Sequence, residues 1–255
     1  MTALRSERDG AILRVTLARP ERRNAFDAAL IAELTEAFSA DAVGDARAVV
    51  LSGEGPSFCA GADVEWQRAS IDLSYEENVE DATRLLRMLE AIDECPAPVV
   101  CRVHGFALGG GSGLVACCDA VVAAPDATFG FTEAKLGIIP AVISPFVLAK
   151  IASMARRLFT TGERFGAETA LRIGLVDEVS DEPDAVVERL VAELLTSGPL
   201  AAREAKRLVL HPPAREDLPA LAARMRTSEE GQEGLRAFLE KRPAEGGWGI
   251  FTPRD

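Results

Sequence analysis

The stretch HGFALGGGSGLVACCD, residues 104–119, limits what this chain can fold into more than any other. Five of its first ten residues are glycine. Glycine weakens helix and strand interiors, so a cluster this dense marks backbone that bends tightly or lets other atoms come close. The preceding APVVCRV reads as a buried strand delivering the chain to the cluster, and GSGLVACC as a brief helix leaving it. Glycines at such a junction leave backbone N–H groups free at the positive end of a helix dipole. Those groups suit a developing oxyanion, such as that of a thioester carbonyl.

Three other uses of the glycines fail on spacing. Strand, glycines, helix, strand and then Asp126 superficially copy a dinucleotide-binding unit, but no glycine follows Gly111 at the third position and several residues separate strand from cluster. No G-x-x-x-x-G-K-[ST] is present. Ser112 is not a nucleophile elbow, because G-x-S-x-G needs glycine where Leu114 stands.

Elsewhere strands and helices alternate. ILRVTLARP reads as a half-buried strand ended by Pro20, AALIAELTEAFSA as an amphipathic helix, and RAVVLSGEG as a strand closed by a turn. Residues 74–94 carry Leu85, Leu86, Met88 and Leu89 on helical spacing; DAVVAAPDATFG is a strand with a turn, and PFVLAKIASMARRLFTTG a helix ended by Gly162. From about Gly198 only helices are expected, AAREAKRLVL and one continuous helix over 217–242, parted from each other by His211-Pro212-Pro213. The expected organisation is a core over 1–197 and a helical module over 198–255.

A net charge of -12 without basic runs excludes a general nucleic-acid binder, so any anionic ligand is held locally. No segment has the apolar length of a membrane span, and the start lacks a secretory pattern, which leads to the expectation of a cytoplasmic protein without membrane partners. Five cysteines, without paired C-x-x-C or neighbouring histidines, indicate neither a metal site nor disulfides; Cys59 as nucleophile lacks a base. Glu133, in ATFGFTEAKLGIIP, is the candidate general base, a carboxylate among apolar neighbours where desolvation raises its pKa. Asp119 is expected to bond backbone, His104 to shape the glycine turn, and Arg84 and Arg87 to lie on a solvated face over the pocket.

Six motifs in order, ARPERRNAF, SFCAGADV, VHGFALGGGSGLVACCDAVVAA, ATFGFTEAKLGIIPAVISP, TGERFGAETALRIGLVDEV and FLEKRPAEGGW, resemble the crotonase, or enoyl-CoA hydratase/isomerase, superfamily over nearly the whole chain. The resemblance implies an α/β crotonase fold, a repeated β-β-α spiral core with a C-terminal helical module for oligomerisation. It implies an acyl-CoA substrate, no cofactor beyond the CoA moiety, and an oxyanion hole made by the amides of Ala62 and Gly110. Backbone around Ala60 and Asp63 would face the adenine, and Arg22 or Arg23 with Phe238 or Lys241 would approach the CoA phosphates or pantetheine. Gly109 and Gly113 belong to the acyl site.

One departure stands out. Where hydratases of this superfamily place a first glutamate, two residues after the glycine run, this chain has Gly113; only Glu133 remains of the usual pair. GGGSGL with AVISP after LGIIP resembles the 3-methylglutaconyl-CoA hydratase branch. The expected function is therefore a hydratase or dehydratase of a branched or dicarboxylic enoyl-CoA, with Glu133 as acid and base and Gly113 small to admit a branch or second carboxylate. A double-bond isomerase needs one carboxylate and is the main rival; a decarboxylase, a thioesterase and a non-catalytic acyl-CoA-binding protein follow. Leu218, Leu221, Met225 and Phe238 are expected to contact neighbouring subunits in a trimer or pair of trimers.

Overall fold

The computed structural model of the chain describes residues 3–251. The first sheet contains β1 (Leu4–Asp9), β2 (Ile12–Leu17), β3 (Ala48–Gly53) and β4 (Val99–Val103), and the chain then makes β5 (Phe106–Leu108) in a second sheet. β6 (Ala120–Ala123) returns to the first sheet, β7 (Thr128–Gly130) and β8 (Arg164–Gly166) join the second, and β9 (Glu178–Val179) ends the first. The orders are β1-β2-β3-β4-β6-β9 and β5-β7-β8. Apart from the β1–β2 hairpin the large sheet is parallel; in the small one β5 and β7 are parallel and β8 runs against β7.

Side chains alternate across a strand, so parallel strands covered on both faces read as continuous apolar runs. Val49, Leu51, Val99, Cys101, Val103 and Val121 enter the main core, whereas Val50, Val100 and Val122 enter a second core on the other face against Val187 and Val191. The main core takes helices α1 (Ala28–Ala37), α2 (Ala40–Val43), α4 (Tyr75–Asp93), α5 (Gly110–Ala116) and α6 (Ser144–Thr161), with α3 (Val64–Ala69) on its edge. α7 (Ala167–Ile173) follows β8, and α8 (Pro183–Leu195) supplies Val187 and Val191. All five cysteines are buried; burial pushes the Cys59 thiol up to about 12, leaving it inert as a nucleophile.

The tail contains α9 (Pro199–Leu210), α10 (Leu218–Thr227) and α11 (Glu229–Glu240). The single helix expected over 217–242 is two helices. Ser228, extended at φ -65 and ψ 157, breaks it: its Oγ accepts from Gly231 N at 3.0 Å and donates to Met225 O at 2.7 Å, capping α11 while closing α10. A Cβ at Gly231 would collide with the Met225 carbonyl, so the reversal requires glycine. Among the described residues no helix is long and apolar enough to cross a membrane.

Candidate active site

A cavity of about 480 Å³ opens between the loop around Ala60 and Ala62, the start of α5, the segment after β7, and the α3–α4 helices. Its floor is built by two strand-like bridges. Phe26 pairs with Ala62 in parallel, with Phe26 N–H donating to Gly61 O and Asp63 N–H to Phe26 O, both at 2.8 Å. Such a bridge uses the groups flanking Ala62 and turns Ala62's own N–H away from Phe26; that N–H has no acceptor among the described residues. Cys59 pairs likewise with Ala107, tying the loop to β5.

Gly110 is the first residue of α5, so its N–H has no intrahelical acceptor, and none is present elsewhere among the described residues. A Cβ on Gly110 would stand 2.5 Å from Phe26 Cε2, and one on Gly61 2.8 Å from Leu108 O, so the close approach of these two loops depends on both glycines. Gly109 takes φ 53 and ψ -122, a conformation that L side chains rarely adopt. Ser112 is wholly buried, and its Oγ donates to Ala107 O at 2.6 Å, fastening α5 beneath β5. The glycines thus accommodate other parts of the same chain, leaving Ala62 and Gly110 as cavity-wall residues with unused amides.

Glu133 enters from the 3-10 turn Thr132–Leu136, which follows β7 and the buried Phe131. Its carboxyl lies against Gly109, where a Cβ would be 3.3 Å from Oε1. Oε2 is buried without a hydrogen-bond partner. Burial raises its pKa, partly offset by its own backbone N–H. An acid kept closer to neutrality beside two free amides can carry a proton to or from a carbon next to a thioester.

The other residues expected at the site divide. Ala60 lines the cavity, its N–H donating to Arg23 O at 2.9 Å. Asp63 is not on the cavity wall: it caps α3 by accepting from Glu65 N at 2.8 Å, its carbonyl accepts from Gln67 N, and Arg19 lies 3.5 Å away. Arg22 pairs with Glu65 at 3.3 Å, and Arg23 lies over the Phe106 ring at 5.7 Å; neither is on the wall. Gly109 lies against Glu133 and is not itself part of the wall.

Gly113 corrects the expectation of an open space. A Cβ there would stand 2.5 Å from Ile143 Cγ2, so Ile143 fills the position and admits neither a branch nor a carboxylate. Phe238 lines a different groove of about 600 Å³ among the C-terminal helices and stacks on Phe251 at 6.1 Å, while Lys241 is the left-handed cap of α11. Within one chain neither lines the Glu133 cavity.

Asp119 accepts from Val99 N and Lys206 Nζ, each at 2.7 Å, a backbone-bracing role. His104 Nε2 must donate to Gly55 O at 2.8 Å, leaving Nδ1 to accept from Arg102, so the neutral ring holds the loop beside the glycine turn. Arg84 is tied to Glu80 and Asp81 on its own helix. Sequence reading missed Asp81 and Arg164, both on the wall. Asp81 shares the spacing Asn78, Asp81, Ala82, Leu85, which is one face of a helix and is the face that lines the cavity; Arg164, on β8, carries no comparable local signal.

The family described as Enoyl-CoA hydratase/isomerase matches residues 7–247. A Thauera aromatica protein named cyclohexa-1,5-dienecarbonyl-CoA hydratase is 32% identical, covering 93% of each chain. A crotonyl-CoA hydratase of Syntrophomonas wolfei is 33% identical over 89% of this chain and 90% of its own. The crystal structure of an enoyl-CoA hydratase from Shewanella pealeana superposes with a TM-score of 0.89 at 35% identity, covering 95% of both chains.

Proposed function

The chain belongs to the enoyl-CoA hydratase/isomerase family, and from that premise we propose that it is a lyase adding water to, or removing it from, the double bond of an enoyl-CoA thioester. Its fold is the crotonase fold. The observation that carries the reading is Glu133 Oε2, buried and unpartnered in a cavity whose wall includes Ala62 and Gly110 with unused amides. In this reading those amides hold the enolate oxygen and Glu133 moves the proton at the adjacent carbon. No cofactor is required beyond the CoA moiety.

The substrate we infer is branched or dicarboxylic, of the 3-methylglutaconyl-CoA kind. GGGSGL and AVISP support it, and so does Arg164, a residue of the cavity wall whose guanidinium lies over the Phe106 ring at 5.6 Å and has no carboxylate partner among the described residues. Room for the distal group comes from the wall between Arg164 and α4, because Gly113 is closed by Ile143. The exposed Leu218, Leu235, Phe238 and Leu239 support a trimer or pair of trimers in which the tail of one subunit meets another.

A panel of acyl-CoAs assayed by mass tests the reaction. Gain or loss of one water is expected, fastest with a branched dicarboxylic enoyl-CoA. Unchanged mass with a new absorption spectrum would make it an isomerase, loss of carbon dioxide a decarboxylase, release of free CoA a thioesterase, and tight binding without turnover a carrier.

A further inference from the structure

Hydration needs two proton movements, one to carbon and one away from water. Glu133 serves the first. The second has no evident residue, because Gly113 has no side chain and Ile143 occupies the space in front of it. Among the residues lining the cavity, the carboxylate besides Glu133 is Asp81, on α4.

Asp81 is held as a working group would be. Its side chain is only 19% exposed, although α4 lies at the surface. Oδ1 accepts from Arg84 Nη1 at 2.7 Å, and Arg84 is itself fixed by Glu80 at 2.5 Å. Oδ2 makes no hydrogen bond among the described residues. Two neighbouring polar wall groups are committed elsewhere: Asn78 Nδ2 is shared among the carbonyls of Ser70, Leu73 and Ser74, and Ser70 Oγ donates to that of Gln67. Those bonds, with the Ser74–Glu77 capping box, fix the start of α4 and hence where Asp81 stands.

We propose that Asp81 is the second carboxylate of the site, the base that takes a proton from the attacking water; this rests on the enoyl-CoA hydratase reading above. As the water oxygen bonds to the β-carbon, Asp81 accepts one of its protons and the π electrons of the double bond pass to the thioester oxygen, held by the amides of Ala62 and Gly110. The enolate then takes a proton from protonated Glu133 at the α-carbon, restoring the thioester carbonyl. The proton on Asp81 returns to Glu133 through solvent, so one water is added and both acids are regenerated.

Two reactions of the same enzyme separate this role from a helix ion pair with Arg84. Hydration needs both acids, whereas exchange of the α-proton of a saturated acyl-CoA in D2O needs Glu133 and the amides alone. In Asp81→Asn, hydration kcat should fall by ~10²–10⁴-fold, with exchange within about threefold of wild type. Asp81→Glu should recover part of the loss. Hydration within about threefold of wild type in Asp81→Asn, or hydration and exchange falling together, would overturn the assignment. Failure of the enoyl-CoA reading itself looks different: wild type would then show neither hydration nor exchange. Exchange without hydration in wild type would remove the need for a second acid and the assignment with it.

Discussion

The floor and the roof of the cavity are made by opposite means. The floor is backbone: the Ala62 and Gly110 amides are positioned by bridges and by glycines packed where a Cβ has no room. The roof is side chain, polar groups on exposed helices α3 and α4 that are fixed by caps and loop hydrogen bonds, with little core beneath the first turns of α4. A floor of this kind tolerates almost no substitution, since any added atom displaces backbone. A roof of this kind can change its side chains freely, and is therefore where substrate choice and a replacement acid can be accommodated.

The largest expected effect lies where an acid stands against the floor. Glu133→Gln keeps the size and removes the proton, so turnover should fall by ~10²–10⁴-fold or more with acyl-CoA affinity nearly unchanged. The variant should also be more stable at neutral pH. Burial raises the Glu133 pKa in the folded chain, so its contribution is fully present below the unfolded value, about 4.3, and is lost as pH rises through the folded one. The stability difference between Gln and Glu should grow from about pH 4 upward. Retained activity, or a difference that shrinks with pH, would detach Glu133 from the role given to it.

How much of this was legible follows the same division. The strand-glycine-helix unit, the free amides and Glu133 could be read from sequence because glycine density and an acid in an apolar segment are local signals. Asp81 was hidden because a helix with Glu76, Glu77, Glu80 and Asp81 reads as a solvated face; only the packing of Asn78, Asp81, Ala82 and Leu85 over the cavity distinguishes one acid from its neighbours. Gly113 was misread for a related reason. An absent side chain looks like space, and Ile143, thirty residues later in sequence, takes that space in a way no local pattern records. The break at Ser228 was missed because apolar spacing continues across it, and a serine cap with Gly231 three residues on is a weaker signal than the proline pair before it.

A second, smaller effect tests the packed floor away from the chemistry. Gly113→Ala should destabilise the fold by ~1–3 kcal/mol, because the new methyl meets Ile143 Cγ2 at 2.5 Å and Ile143 Cβ at 3.0 Å. In an Ile143→Ala background the first of those contacts is gone, and the same substitution should cost clearly less. Urea unfolding of wild type and the three variants gives the coupling directly. Strict additivity would mean that Ile143 does not fill the position and that Gly113 does leave room for substrate.

The smallest effect belongs to the roof and is local. Ser74 accepts from Glu77 N at 3.2 Å while Glu77 accepts from Ser74 N at 2.8 Å, a reciprocal cap at the first turn of α4. Ser74→Ala should cost about 1 kcal/mol of helix stability, felt where α4 is exposed and not where Met88, Leu89 and Ile92 anchor it in the core. Amide exchange should therefore quicken over residues 75–81 with little change toward the buried end and little shift in the global transition. Since Asp81 sits about two turns beyond the Ser74 cap, hydration should weaken by a small factor while Glu133-dependent exchange at carbon stays as it was. Protection lost evenly along α4, or the two reactions weakening together, would show that roof and floor move as one unit, and the contrast between them would then not describe how the enzyme works.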